Sequence, residues 1–348
     1  GNTVSLAVKT AVATGTARRF VVGSSDIQLI DVLAGDMLED LADAASLAGK
    51  GDVVLTPQAA AQLEPYLVVQ SWQTLPQSSE RFAVVGALQT AVARQAWPPL
   101  PGALSDEQIK PWLLPTVYNQ LRNGRGEFLA ELRPAIALFV QFRGLDYDLD
   151  PQAGEKLDGF IQQVQRLVTR YDGAMLQVSI GDKGNYLYAA FGAPVAHEDD
   201  AARAVSVAWE LKGLAANHKD IQDVKMGIAS GRMRTGAYGG TARRTYGVLG
   251  DSVNLSARLM EKALPGQILA TLEIQQAAAD TFDWERLPDV QVKGKSGRIA
   301  VASVRDTRQR SMIRLLEPAY ALPIVGREAE MALLAEKLEL VAAGLGQI

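Results

Sequence analysis

Val224-Lys225-Met226-Gly227-Ile228-Ala229-Ser230-Gly231-Arg232-Met233-Arg234 repeats, 216 positions later, the pattern of Val8-Lys9-x-x-Val12-Ala13-Thr14-Gly15-x-x-Arg18. Gly35-Asp36 begins a second match, to Gly250-Asp251 at an offset of 215. It runs without a gap to Gly51-Asp52-Val53-Val54-Leu55-Thr56 against Gly266-Gln267-Ile268-Leu269-Ala270-Thr271. Arg81-Phe82-Ala83-Val84 and Arg298-Ile299-Ala300-Val301 form a weaker echo. A period this long lies outside the roughly 20–50 residues of solenoids and propellers and implies two homologous domains in tandem. The second copy has sequence ahead of its repeated segment from about Arg133, whereas the first has only Gly1 to Leu6. The expectation is one complete copy and one N-terminally truncated copy.

The sequence has 348 residues, 48% of them hydrophobic, a formal net charge of −4 and no cysteine. That is the length of about two domains, with enough apolar content for packed cores. The charge argues against non-specific nucleic-acid binding. Without a thiol, disulfides, cysteine nucleophiles and zinc–thiolate sites are excluded. Apolar runs such as Ala135-Ile136-Ala137-Leu138-Phe139-Val140 fall far short of the ~18–20 residues that span a bilayer, so no membrane partner is expected. No charged-then-apolar leader opens the sequence, and the expected location is the cytoplasm.

In the first copy the pattern predicts strands over 8–15, 19–23 and 27–33, a helix over 37–47 and a strand over 52–56. Pro- and Gly-bearing sequence from about 95 reads as a linker, whose Trp112-Leu113-Leu114 and Val117-Tyr118 clusters should pack on a surface. The second copy opens with a strand over 135–142. A helix follows, marked by Leu157, Phe160, Ile161, Val164, Leu167 and Val168, then strands over 175–180 and 186–191 and a helix over about 199–216. Strands mixed with helices imply an α/β sandwich, one sheet with helices packed on a face. Beyond Thr307 the character changes, and Leu322 to Glu330 begins a helix that runs to about Ala343.

The chemistry concentrates in Tyr246-Gly247-Val248-Leu249-Gly250-Asp251-Ser252-Val253-Asn254-Leu255-Ser256-Ala257-Arg258. Asp251 or Ser252 is expected to cap a helix, and Asn254 and Arg258, four apart, project from one face near its N-terminus. An amide that orients a sugar beside a guanidinium that meets phosphoryl charge suits phosphoryl transfer, where positioning and electrostatics supply most of the catalysis. An isolated N-x-x-x-R would read as ordinary helix surface. Other clusters read structurally: His197-Glu198-Asp199-Asp200 as a helix cap and first turn. Asp146-Tyr147-Asp148-Leu149-Asp150 is a polar loop, since Pro151 stands where a calcium loop needs glycine. Arg232, Arg234, Arg243 and Arg244 flank a glycine turn as a solvated hairpin or domain contact. Gly344-x-Gly346 lacks the Gly-Lys-Ser/Thr of a phosphate loop.

Gly-Asp-x-Val-Asn-x-x-x-Arg after a hydrophobic strand resembles the signature of class III nucleotidyl cyclases. Gly181-Asp182-Lys183, Phe191-Gly192 and His197 to Val205 are similar to the middle of that catalytic domain. Val292-Lys293-Gly294-Lys295 resembles its phosphate-contacting strand. Phe128 to Pro134 and Ile324-Val325-Gly326-Arg327-Glu328 resemble soluble, bicarbonate-type adenylyl cyclases, which hold two cyclase domains ahead of an ATPase region. The resemblance implies an α+β sandwich of the ferredoxin-like cyclase homology type. It divides the chain into the C-terminal half of a first domain (1–94), a linker (95–132), a complete second domain (133–306) and a linker with the start of an ATPase region (307–348).

In that family one domain supplies two metal-binding aspartates, and the other supplies Asn, Arg and Lys. The resemblance assigns Asn254 and Arg258 to transition-state stabilisation, Lys293 to the polyphosphate, and Gln177 and Gly247 to the purine. Val178 is the alternative to Gln177. Adenine-selecting members place Lys and Asp or Thr at the two purine positions; glutamine still hydrogen-bonds a purine edge, whereas Gly247 has no side chain. Gln141 stands at the first metal-aspartate position and Asp182 keeps the other, a poor two-metal site. Glu39 and Asp43 stand where the second copy has Asn254 and Arg258. Ala42 falls where bicarbonate-responsive members place arginine, so that route of activation is not expected. The implied cofactor is Mg²⁺ or Mn²⁺. The implied partners are ATP or another purine nucleotide and a second cyclase half-domain in cis or trans. The implied function is ATP cyclisation to cyclic AMP and pyrophosphate in the full-length protein. The rival is a catalytically degenerate module that regulates a downstream region.

Overall fold

Along the strand that begins the second repeat, successive residues enter opposite cores. Ile136, Leu138, Val140 and Phe142 go to one side, and Ala135, Ala137 and Phe139 to the other. A strand apolar on both faces belongs in the middle of a sheet with cover on both sides. The computed structural model describes residues 7–76, 79–93, 95–96, 98, 102–124, 131–181, 184–239, 244–292, 297–308 and 327–342. Residues 1–307 form one unit and 308–348 another.

The first repeat contains β1 (Thr10–Val12), β2 (Arg18–Val22), β3 (Ile30–Ala34), α1 (Asp36–Leu47), β4 (Val53–Leu55), α2 (Pro57–Leu63), β5 (Leu67–Gln73) and β6 (Phe82–Leu88). Two short helices follow, α3 (Asp106–Ile109) and α4 (Pro115–Arg122). The second repeat comprises β7 (Glu131–Arg143), α5 (Ala153–Arg170), β8 (Ala174–Gly181), β9 (Gly184–Phe191), α6 (Asp200–Ala216), β10 (Asp223–Gly239), β11 (Arg244–Leu249), α7 (Asp251–Lys262), β12 (Ile268–Thr271), α8 (Leu272–Ala277), β13 (Phe282–Val290) and β14 (Ile299–Thr307). The other unit contributes α9 (Glu328–Ala342).

The main sheet runs β13-β14-β12-β10-β7-β9-β8, with β11 paired to β10. This is the mixed α+β architecture expected from the sequence, with one correction: helices cover both faces. α5, α6 and α8 pack on the face of Leu138 and Phe142, while α7 packs on the face of Ala135 and Ala137. Where α7 crosses this face, Ala135, Ala137, Gly227 and Ala229 are small, so the helix approaches closely. A Cβ built on Gly227 would stand 2.1 Å from the Ser256 carbonyl oxygen and 2.4 Å from the Met260 amide nitrogen. Buried Ser256 shares its hydroxyl proton between the carbonyls of Ala137 (2.9 Å) and Gly227 (2.7 Å), tying α7 to two strands.

The two repeats pair alike. β1 runs parallel to β4 with Thr10, Ala11 and Val12 opposite Val53, Val54 and Leu55. The same offsets give Met226, Gly227 and Ile228 opposite Ile268, Leu269 and Ala270. All five pairs of the β2–β3 hairpin, from Arg18↔Ala34 to Val22↔Ile30, recur from Arg234↔Leu249 to Tyr238↔Thr245. The sheet order β1-β4-β6-β5 matches β10-β12-β14-β13. The tail echo needs correction by two residues. Val54↔Val84 and Leu55↔Ala83 correspond to Leu269↔Ser303 and Ala270↔Ala302, so Phe82 aligns with Val301 rather than Ile299. An even slip keeps every side chain on its face, which is why the echo was visible out of register.

The hairpin of the first repeat seats on the second. The Gly23 amide donates to Asp158 (2.7 Å) and the Ser24 amide to Gln165 Oε1 (2.8 Å), while Gln165 Nε2 donates to the Gln28 carbonyl (2.7 Å). Arg18 donates to the carbonyls of Tyr147, Asp150 and Pro151, so the acidic loop offers main-chain oxygens to a guanidinium. The linker packs through buried Val117 and Tyr118, while Trp112 stays exposed. Gln165 itself is buried. Gln165→Leu strands two main-chain groups and is expected to cost about 2–4 kcal/mol. Urea unfolding of the variant beside wild type checks this, and an unchanged midpoint at equal slope refutes it.

Candidate active site

α7 begins at a glycine. Gly250 is its N-cap, with no side-chain cap bond, and Asp251 lies in the first turn, where its charge meets the helix dipole. This corrects the expected cap at Asp251 or Ser252. The first repeat does the same: Gly35 precedes α1, and both helices run twelve residues at the 215 offset. Val253, Ala257 and Met260 face one core and Leu255, Leu259 and Ala263 another, which leaves Asn254 exposed and Arg258 half-buried one turn apart. Among the described residues no side-chain hydrogen bond or ion pair engages either. Both are available to a ligand.

The strand leading into this helix walls an open cleft of about 660 Å³. Gln177, Tyr188, Tyr238, Thr245, Gly247 and Leu249 line it, so the two positions that the resemblance assigns to the purine share one space. Asn254 and Arg258 stand on the helix that follows Leu249 in the chain, outside this lining. β8 carries a bulge between Met175 and Gln177, with Gln177 opposite Tyr188. The bulge turns Gln177 out to the cleft and sends Val178 into the core. Tyr188 donates to the Val248 carbonyl (3.1 Å) and fixes the wall. Burial raises the Tyr188 pKa and pushes that of Tyr246 up to about 12, so both rings present neutral hydroxyls near pH 7.

A second cleft, of about 230 Å³, lies between the repeats. Glu39 from α1 lines it together with Gln141 from β7, and Arg143, Tyr147 and Asp148. The element equivalent to α7 thus meets the strand on which the resemblance places the first metal-aspartate position. The residues there do not suit polyphosphate or its metal. Gln141 is a neutral amide, and Arg143 is paired to Asp223 at 2.5 Å. Asp148, hydrogen-bonded and like-charged beside Asp36, holds that carboxyl above its usual range. Among the described residues no group of three or more His, Cys, Asp or Glu could hold a metal ion.

Asp182, Lys183, Arg243, Lys293 to Lys295, Phe128 to Ala130, Ile324 to Gly326 and Gly344 to Gly346 lie outside the described residues. Val292, next to Lys293, is buried against the α7 side of the sheet. Asp199 is the N-cap of α6 but bonds Arg203 instead of a cap amide (2.6 Å), and Asp200 accepts the His197 amide (2.9 Å). That cluster is helix-terminal structure, as expected. No helix among the described residues is long and apolar enough to cross a membrane. Sequence reading missed Tyr238, whose signal, a pair of facing glycines, exists only once the hairpin register is known.

Residues 139–304 match the family described as Adenylate and Guanylate cyclase catalytic domain. Adenylate cyclase type 10 of Homo sapiens is 28% identical over 154 residues, 44% of this chain and 10% of that protein. The Oryctolagus cuniculus protein of the same name is 28% identical over 213 residues, 59% of this chain and 13% of its own length. An uncharacterized protein of Mycobacterium bovis is 31% identical over 150 residues, 41% of this chain and 25% of that one. The chain therefore spans about a tenth of the length of the adenylate cyclases it matches. Among solved structures, the adenylyl cyclase CyaB from P. aeruginosa is 23% identical, with a TM-score of 0.46, covering 52% of this chain and 97% of that one. The guanylate cyclase domain of RhGC from Catenaria anguillulae in complex with GTP is 20% identical, with a TM-score of 0.46, covering 51% and 98%. Residues 139–304 belong to the class III nucleotidyl cyclase catalytic-domain family.

Proposed function

We propose, from that family membership, that residues 133–306 supply the nucleotide-orienting half of a nucleotidyl cyclase site, converting ATP to cyclic AMP and pyrophosphate in the full-length cytoplasmic protein. The complementary half comes from another cyclase half-domain, in cis or in trans. The observation that carries this reading is the cleft shared by Glu39 and Gln141. It supports a geometry in which the N-terminus of an α7-type helix faces a β7-type strand of a different half. By the same rule, Asn254 and Arg258 await such a strand.

In this reading the ribose 3′-oxygen forms a bond to the α-phosphorus as its proton leaves, and the bond from that phosphorus to the bridging oxygen breaks to release pyrophosphate. The Asn254 amide orients the ribose. The Arg258 guanidinium, half-buried and therefore less screened than a surface charge, stabilises the α-phosphoryl group as its charge shifts. Lys293 meets the terminal phosphates. The described residues of this chain do not fit a metal pair, so Mg²⁺ or Mn²⁺ belongs with the complementary half. A second reading, a regulatory module without turnover, is favoured by Gly247, which offers the base no side chain.

The 348-residue chain alone is expected to make no more than traces of cyclic nucleotide with Mg²⁺ or Mn²⁺, because Gln141 replaces a metal carboxylate. A cyclase assay on the purified chain tests this, and a robust rate shows the site assignment to be wrong. In the full-length protein, two upstream aspartates at the metal positions support the enzyme, and their absence supports the regulatory reading.

A further inference from the structure

Gly247, which lines the larger cleft, belongs to a cross-strand pair that differs between the repeats. In the first repeat, Phe20 faces Val32 across the hairpin and both pack against the main core. At the same register the second repeat has Gly236 facing Gly247. Two large side chains are missing from one face of the β10–β11 arm, and Tyr238, two residues beyond Gly236 on that face, lies back over the gap. Its hydroxyl donates to the Arg234 carbonyl four residues earlier. A Cβ at Gly247 would stand 3.2 Å from Tyr238 Cδ2 and 3.4 Å from Cε2. The Arg234 guanidinium sits 5.6 Å from the ring centroid. The ring is half-buried, and its remaining surface lines the cleft with Gln177.

We infer that Tyr238 is the platform on which the purine base stacks, in place of an edge-reading side chain at position 247. This rests on the proposed nucleotide site and specifies how it holds the base. An aromatic face attracts any base, because every base has a π-face. Gln177, which lines the same cleft, can then read the base edge, and its amide both donates and accepts, so it serves adenine and guanine alike. The cleft is therefore built to bind purine nucleotides with little discrimination between them.

The test is fluorescence titration of mant-ATP and mant-GTP against the 348-residue chain and its Tyr238→Phe, Tyr238→Leu and Tyr238→Ala variants, with melting curves as the folding control. Wild type should bind the two nucleotides within about threefold of each other, and Tyr238→Phe should match it. Tyr238→Leu still covers the glycine pair but has no π-face; it and Tyr238→Ala should weaken both nucleotides about tenfold, within the range for loss of one base–aromatic stack. Wild-type binding unchanged in Tyr238→Leu overturns the platform and leaves the nucleotide site standing. A preference above about tenfold for one purine overturns the tolerance. No binding by wild type overturns the nucleotide reading itself. Should Tyr238→Leu melt early, saturation transfer on wild type to the base H8 of ATP from the Tyr238 ring protons decides the matter. Those protons are assigned as the tyrosine signal absent in Tyr238→Phe, since Tyr188 and Tyr246 line the same cleft. Transfer confined to the ribose refutes stacking.

Discussion

Arg258→Ala in the full-length protein is expected to lower kcat by about 10²–10³ with little change in KM, the loss typical of one preorganised donor to a transition state. The argument is positional. Arg258 sits on the second turn of α7, whose opposite side is locked into two cores and tied to β7 and β10 by Ser256. A guanidinium on so fixed a base need not reorganise as phosphoryl charge develops. Lys293→Ala should differ, because charge on the terminal phosphates is present in the bound substrate as well, and its effect should fall largely on KM. Steady-state kinetics on both variants, with circular dichroism to confirm folding, separates them. If Arg258→Ala cyclises ATP as fast as wild type, this domain does not bear the transition-state residues and the regulatory reading replaces the enzymatic one.

Gly227→Val is expected to destabilise the 348-residue chain by about 3 kcal/mol or more, at the upper end of overpacking effects. The obstacle is main chain, since any Cβ at 227 meets the Ser256 carbonyl and the Met260 amide, and neither can rotate aside. Relief requires α7 to lift off the sheet, which breaks the Ser256 bonds and displaces Asn254 and Arg258 together. Displacements of about 1 Å can cost on the order of 10²-fold in catalysis, so surviving full-length protein should also turn over poorly. The first repeat tolerates Ala11 at the equivalent strand position, where Leu41 rather than a serine occupies the helix position matching Ser256. Chemical denaturation measures the loss. A variant as stable as wild type shows that α7 is not clamped as described.

The architecture was legible because a repeat carries its own alignment. Matching Gly35 to Gly250 aligned α1 with α7 to the residue, and the offsets reproduced strand pairs that no single segment discloses. What escaped depended on register or on competition among neighbours. Acidic and hydroxyl residues after Gly250 read as caps, yet the glycine took the cap position and Asp251 the first turn. The strand expected over 27–33 starts at Ile30, because Ile27 and Gln28 turn back to the Ser24 carbonyl. The bulge in β8 has no local sequence mark, so Gln177 and Val178 could not be told apart until Tyr188 was placed opposite. Tyr238 was invisible for the same reason: Gly236 and Gly247 are eleven positions apart in sequence but face each other across the arm.

The seat of the β2–β3 hairpin bears on how this protein can diverge. Its anchoring bonds end on the amides of 23 and 24 and the carbonyls of 28, 147, 150 and 151. Proline at 23 or 24 apart, these main-chain groups do not depend on the side chain, although the positive φ of Gly23 holds that position to glycine. Three side chains, Arg18, Asp158 and Gln165, make every one of them. The outward positions of the hairpin, Arg19, Val21, Asp31 and Leu33, hold an exposed ion pair and two exposed apolar residues that take no part. Lineages can therefore rewrite the outer surface without unseating the hairpin, provided those three residues persist. Orthologues should accordingly vary freely at 19, 21, 31 and 33 while keeping 18, 158 and 165.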